Sequence, residues 1–159
     1  KGATPEVRPD LEIQPQASYK DVETLLLLAN PQEAMIQEQF KAGETYVAML
    51  GGELVGAYML VRRSDELIEL VNIAVKPERQ NQTIGQRLLQ DAIRRSKGSG
   101  AKRMLVCTGN SSVVQLRFYQ QAGFRFESVE RDYFPNHGYA AIEEDGLPLL
   151  DRICLTRDL

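Results

Sequence analysis

Glu69-Leu70-Val71-Asn72-Ile73-Ala74-Val75-Lys76-Pro77-Glu78-Arg79-Gln80-Asn81-Gln82-Thr83-Ile84-Gly85-Gln86-Arg87-Leu88-Leu89 changes character twice. Glu66 to Val75 is nearly continuously apolar, broken only by Glu69 and Asn72, and reads as a buried strand. A polar loop holding Pro77 follows. From Ile84 the apolar residues Ile84, Leu88, Leu89, Ala92 and Ile93 recur at helical spacing. A strand that turns into an amphipathic helix leaves free N–H groups at the helix start, with the helix dipole behind them. That arrangement suits a phosphate. Lys76, Arg79 and Arg87 add positive charge nearby. The same residues also read as a plain capping box, Thr83 reaching forward and Gln86 reaching back.

Working outward, Thr45–Leu50 and Leu54–Val61 are strand-like, and Gly51-Gly52 supplies the positive backbone angles of a tight hairpin turn. Residues 18–42 read as two short helices, the first capped by Ser18. Asn30-Pro31 breaks the pattern, with proline expected at the first position of the second helix. Arg62-Arg63-Ser64-Asp65 reads as a turn. Past the quoted stretch, the helix ends at Lys97-Gly98-Ser99-Gly100, and Met104–Thr108 is a strand. Ser111–Gln121 is a helix opened by Asn110 or Ser111 and stopped at Gly123. Phe124–Phe134 and Leu149–Thr156 read as closing strands. No repeat or linker appears, so residues 1–159 are expected to form one domain, with Lys1–Pro5 a trimmed or unstructured end. The order predicts an α/β fold: a mixed, mostly antiparallel central sheet, one parallel pair made by a strand-helix-strand crossover, and helices on both faces.

Hydrophobic residues make up 43% and charged residues 26% of the 159, which places the chain among globular proteins. A net charge of −3 and the lack of a basic stripe exclude general attraction to nucleic acid. The longest early apolar run, Leu25–Ala29, is far short of the ~20 residues of a membrane span. With no secretory signal in view, a cytoplasmic location is expected. Cys107 and Cys154 each lie in an apolar, strand-like run and are expected to be reduced core residues, a disulfide or reactive thiol being the less favoured alternative. His137 is the only histidine. No metal site is expected. His137 reads as a surface residue and Glu143-Glu144-Asp145 as a solvated loop.

The chain resembles the GCN5-related N-acetyltransferases (the GNAT superfamily), whose signature is an Arg/Gln-x-x-Gly-x-Gly/Ala loop between a strand and a helix. The matching positions here are Gln80, Thr83 and Gly85, followed by Leu88-Leu89. Glu69 to Val75 has the family's look, as does Asn110 through Leu116-Arg117-Phe118-Tyr119-Gln120-Gln121-Ala122-Gly123-Phe124. The likeness is close over residues 45 to 125. Asn81 and Thr83 stand where the family usually has glycine; Asn81 tolerates left-handed backbone, and Thr83 adds bulk.

The resemblance implies an acyl-CoA-dependent N-acyltransferase that moves acetyl to a primary amine by direct attack. Acetyl-CoA would be the co-substrate, with the backbone of Gln80, Asn81, Gln82, Thr83, Ile84, Gly85 and Gln86 on its diphosphate. Ile73, Ala74 and Val75 would meet the thioester with strand N–H groups that stabilise the oxyanion. Asn110 would bond the pantetheine arm or cap its helix, and Tyr119 would act as general acid to the departing thiolate. Glu69 is the expected base, an isolated carboxylate in an apolar strand at a position where the family often carries one. A base is useful because a lysine-like amine of pKa near ~10.4 costs about 4.6 kcal/mol to deprotonate at pH 7, and an α-amino group near ~7.7 about 1 kcal/mol. The other reading is a non-catalytic acyl-CoA-binding module on the same fold. The acceptor pocket is expected from residues 18–42 and 131–149, which carry no legible motif. A homodimer is neither indicated nor excluded.

Overall fold

The computed structural model describes residues 10–80 and 83–159. Along the chain run β1 (Leu11–Pro15), α1 (Tyr19–Ala29), α2 (Glu33–Ala42), β2 (Glu44–Leu50), β3 (Glu53–Arg62) and β4 (Leu67–Val75). A 3-10 turn at Pro77–Arg79 leads to α3 (Ile84–Gly98), β5 (Arg103–Gly109) and α4 (Val113–Gln121). β6 (Arg125–Glu130), the short α5 (Tyr133–Asn136), β7 (Glu143–Glu144), β8 (Leu147–Pro148) and β9 (Arg152–Asp158) complete it. Seven strands take the order β1-β2-β3-β4-β5-β9-β6, and β7 and β8 pair separately. The expected mixed, mostly antiparallel sheet is present. Its parallel pair is β4 with β5, from Leu67↔Arg103 to Leu70↔Val106.

The chain forms two compact units, one holding residues up to 61 and 72–94, the other 62–71 and 95–159. In the first, β2 and β3 make the predicted hairpin, with Gly51 at φ 57° and Gly52 at φ 82°. Both positive angles are what a primed turn requires, and glycine supplies them without strain. β1 pairs antiparallel with β2, from Leu11↔Leu50 to Pro15↔Tyr46. Sequence reading does not find this strand. α1 and α2 divide where Asn30 was expected to break them: its Oδ1 accepts from the Gln32 N–H at 3.0 Å, an Asx turn. α2 then starts at Glu33 rather than at Pro31, and Ser18 precedes α1 without a side-chain cap bond.

α3 lies against the face of β3 that carries Gly56 and Tyr58. Tyr58 donates to Asp91 Oδ2 at 2.6 Å, and Arg94 Nη2 donates to Asp91 Oδ1 at 2.6 Å. Both oxygens of this buried carboxylate therefore accept a hydrogen bond, as burial of a charge demands. A Cβ at Gly56 would lie 2.8 Å from Leu88 Cδ1, 3.1 Å from the Ala74 carbonyl and 3.4 Å from Ile84 Cγ2, so glycine lets the helix sit this close without displacing a neighbour. Leu88, Leu89 and Ala92 are buried behind it; each large side chain so buried contributes ~1.5–3 kcal/mol.

In the second unit β5 is flanked by β9, antiparallel from Arg103↔Asp158 to Gly109↔Arg152, and β9 in turn carries β6. Met104, Val106, Leu155, Phe124 and Tyr119 are buried. α4 begins after Ser112, not at Asn110 or Ser111, and Gly123 at φ 90° ends it. The cysteines depart from expectation: Cys107 and Cys154 face each other across β5 and β9 and form a disulfide rather than two thiols. Their cross-strand register brings together residues 47 apart in sequence, a pairing that neither local run reveals. Mass spectrometry of the unreduced chain is expected to show no alkylated cysteine after denaturation with iodoacetamide, and two after reduction. Alkylation without reductant would show the thiols free.

Candidate active site

Along β4 the burial alternates, with Ile68, Leu70, Asn72 and Ala74 buried and Glu69, Val71, Ile73 and Val75 half-buried. A half-buried face leaves the Glu69 side chain only 14% exposed, where it accepts from Arg63 Nε at 3.0 Å. Arg63 lies in the turn before β4, whose own backbone is tied by Arg63 and Ser64 N–H groups donating to the Leu67 carbonyl. The arginine therefore orients the carboxylate from a braced position. Asn72, on the other face, donates through Nδ2 to the Leu26 carbonyl of α1 at 2.9 Å and serves packing.

Beyond Val75 the loop is held by bonds to backbone carbonyls, one of them in β3. Lys76 N–H donates to the Val55 carbonyl at 2.8 Å, Arg79 N–H to Lys76 O at 2.9 Å, and Gln80 Nε2 to Val75 O at 3.3 Å. Gln80 N–H reaches Pro77 O at 3.4 Å. Asn81 and Gln82, also assigned to the coenzyme, lie outside the described residues. The first bond into α3 is from Arg87 N–H to Thr83 O at 3.1 Å. The amides of Ile84, Gly85 and Gln86 precede it, and among the described residues no backbone partner is seen for them. The first turn carries no acidic residue, and Arg95 and Lys97 sit in the last turn. This charge pattern leaves the positive end of a 15-residue helix uncancelled.

Thr83 sits at φ 64°. That is the left-handed region in which a β-branched residue is an outlier and glycine is at ease. It is not the extended conformation of an ordinary N-cap, so the capping-box reading does not describe the backbone here. The position where the signature has glycine thus keeps glycine's conformation while carrying threonine. Thr83→Gly is expected to relieve strain of ~1–2 kcal/mol against an entropy cost of about 0.5–1 kcal/mol. A thermal melt should show a small rise or no change; a clear fall would mean that the threonine side chain holds the turn.

Two of the cations expected to face a phosphate are already engaged. Glu53, at the start of β3, accepts from Arg79 Nη2 at 2.6 Å and from Lys76 Nζ at 3.3 Å. Arg79 first and Lys76 second hold the Glu53 carboxyl below the usual carboxylate range. Sequence reading missed Glu53, which precedes its partners by 23 and 26 residues. Arg63 was also missed, since nothing in a turn sequence shows which strand residue it will reach.

Tyr119 packs between Phe118 (ring centroids 5.4 Å) and Phe124 (5.7 Å) and is buried. Burial raises its pKa above the ordinary 10.0, so the phenol stays protonated at neutral pH. Asn110 is committed elsewhere: Nδ2 donates to Pro148 O at 3.0 Å, and Oδ1 accepts from Leu150 N–H (2.9 Å) and Asp151 N–H (3.0 Å). It clamps the segment entering β9 and does not cap α4. His137 is exposed, stacks on Tyr133 at 3.9 Å and donates through Nδ1 to the Tyr133 carbonyl at 2.7 Å. Glu144 accepts from the buried Ser111 hydroxyl at 3.1 Å, and Asp145 turns the β7–β8 hairpin at φ 51°. Among the described residues no cluster of side chains suits a metal ion, and no helix is long and apolar enough to cross a membrane.

Residues 11–124 match the sequence model of the "Acetyltransferase (GNAT) family". The chain is 41% identical over 135 residues to the Bacillus subtilis (strain 168) protein named "Uncharacterized N-acetyltransferase YvbK", covering 85% of this chain and 87% of that one. Its fold matches a GNAT family acetyltransferase from Elizabethkingia anophelis solved with acetyl-CoA bound: TM-score 0.90, 37% identity, 94% of this chain and 98% of that one. It matches equally the IAA acetyltransferase from Bacillus cereus ATCC 14579, with TM-score 0.90, 39% identity, and 94% and 100% coverage.

Proposed function

Because the chain belongs to the Acetyltransferase (GNAT) family, we propose that it transfers acetyl from acetyl-CoA to a primary amine. The observation that carries this reading is the start of α3, where the Ile84, Gly85 and Gln86 amides stand ahead of an acid-free first turn. That arrangement fits a diphosphate: the N–H groups and positive dipole end of a helix start favour an anion, and no acidic residue of the first turn opposes one. Gln80, Asn81, Gln82 and Thr83 complete the binding segment in this reading, and one backbone N–H within the stretch Ile73, Ala74 and Val75 donates to the thioester oxygen. Acetyl-CoA supplies the acetyl group as an activated thioester.

The chain's own residues do the rest. Glu69, steered by Arg63, accepts the proton that the substrate ammonium must lose before the free amine attacks, directly or through water. Tyr119 keeps its proton, since burial raises its pKa. A free thiol titrates near ~8.5, well below the phenol, so full transfer from Tyr119 to a thiolate runs uphill. Tyr119 therefore acts chiefly as a hydrogen-bond donor to the leaving sulfur. Asn110 holds the segment into β9 and affects the coenzyme only through that segment.

The test is thiol release from acetyl-CoA across a panel of primary amines: lysine-type, α-amino and polyamine. Turnover with an amine and a raised melting temperature with acetyl-CoA are expected. A melting temperature unmoved by saturating coenzyme would sink the proposal; a raised one with no turnover on any amine would favour a coenzyme-binding module.

A further inference from the structure

β6 ends the order of the seven-stranded sheet, paired on one side only, to β9. All six of its residues, Arg125-Phe126-Glu127-Ser128-Val129-Glu130, are exposed. Phe126 and Val129 are each 57% exposed, and Phe126 opens onto a groove of about 460 Å³ whose other wall is α4, with Val113 and Leu116. An unpaired strand edge beside exposed aromatic and branched side chains is a surface for adding another strand.

The register says which strand. Opposite β9 the pairs are Arg125↔Thr156, Phe126↔Leu155, Ser128↔Cys154, Val129↔Ile153 and Glu130↔Arg152, with Glu127 bulged out between Phe126 and Ser128. Directly opposed residues share a face of the sheet. Phe126 and Val129 therefore lie on the face of Leu155 and Ile153, while Arg125, Ser128 and Glu130 lie on the other. In an unbulged strand, residues three or five apart fall on opposite faces; the bulge puts Phe126 with Val129 and Arg125 with Glu130.

We propose that the β6 edge pairs antiparallel with the β6 edge of a second copy of this chain, about a two-fold axis between Glu127 and Ser128. In that register Arg125 stands opposite Glu130 of the second copy, Phe126 opposite its Val129, and Glu127 opposite its Ser128. Each contact occurs twice, as an isologous interface requires. The cross-strand pairs are a salt bridge and an aromatic–aliphatic contact, both favourable, and no like charges are opposed. A slip of one residue in one direction would set Glu127 against itself, and in the other would set Arg125 against Arg131. Among the described residues Arg125 has no ion-pair partner, whereas Glu130 shares Oε1 with Arg152 and keeps Oε2 for a second cation. The bulge that would protect an edge from arbitrary partners here selects an identical one.

Sedimentation equilibrium on the full chain tests this. The expected mass is twice 17.9 kDa at micromolar concentration. Arg125→Glu alone and Glu130→Arg alone each oppose like charges twice and are expected to weaken dimerisation by about tenfold or more. Mixing the two variants restores both opposite-charge pairs and should regenerate the dimer as a heterodimer. Phe126→Lys should leave a monomer that neither charge variant rescues. Circular dichroism and thiol release from acetyl-CoA, unchanged in each variant, report that the fold is kept. A monomeric wild type would overturn the proposal, as would a dimer indifferent to all three changes. Charge variants that stay monomeric when mixed would overturn the register.

Discussion

Glu69→Gln is expected to lower kcat for a lysine-type acceptor by about 10²- to 10³-fold at pH 7, while coenzyme affinity stays put. The amide keeps the shape of the side chain and can still lie beside Arg63, but it takes no proton. A lysine-type amine must be deprotonated at a cost of about 4.6 kcal/mol at pH 7, and the enzyme then has no positioned group to receive the proton. An α-amino acceptor, with only about 1 kcal/mol to find, should lose far less, and raising the pH should recover much of the rate for both. The comparison needs kcat for two acceptors of differing pKa, with a separate titration of acetyl-CoA. An equal loss for both acceptors at every pH would mean that Glu69 positions the substrate; no loss for either would remove it from the mechanism.

Gly56→Val is the second large effect, and it acts through packing. The first side-chain carbon would meet Leu88 Cδ1 at 2.8 Å and the Ala74 carbonyl at 3.1 Å, and the branches would press on Ile84, the first residue of α3. Leu88 can swing aside; the Ala74 carbonyl, in the backbone of β4, cannot. Overpacking of this kind costs ~3 kcal/mol and should lower the melting temperature by about 6–12 °C in a domain of this length. Because the same helix start carries the Ile84, Gly85 and Gln86 amides, a displaced α3 is also expected to weaken acetyl-CoA binding by about tenfold. Gly56→Ala, which adds only the first carbon, should cost about 1 kcal/mol and bind nearly as well. A valine variant with wild-type melting behaviour would mean that α3 is seated less closely than these distances say.

Local pattern carried most of the fold. The period change at Ile84, the two glycines at 51 and 52 and the break at Asn30 each act within a few residues, and each falls where the chain turns. β1 escaped because five residues ending in Pro15 carry too short an alternation to read, and its identity as a strand comes from pairing with β2. The same distinction divides the site. Glu69 and the helix start are legible because a lone carboxylate and a strand-to-helix turn are local features. Arg63 on Glu69, Glu53 on Lys76 and Arg79, Asn110 on the segment before β9, and Cys107 on Cys154 depend on which strands become neighbours. Thr83 is the informative exception. Its glycine-like backbone is anticipated by the family signature, although the residue itself argues against it.

Glu53 has a consequence for how the coenzyme is felt at a distance. With Lys76 and Arg79 both drawn onto one carboxylate, the loop before α3 presents little net charge to an approaching anion. A diphosphate would then be met by amide dipoles at close range, which mobile ions screen far less than exposed charges. Acetyl-CoA affinity should accordingly hold nearly level as ionic strength rises. With Glu53→Gln, two liberated cations should tighten binding in dilute buffer, and added salt should take that gain away again.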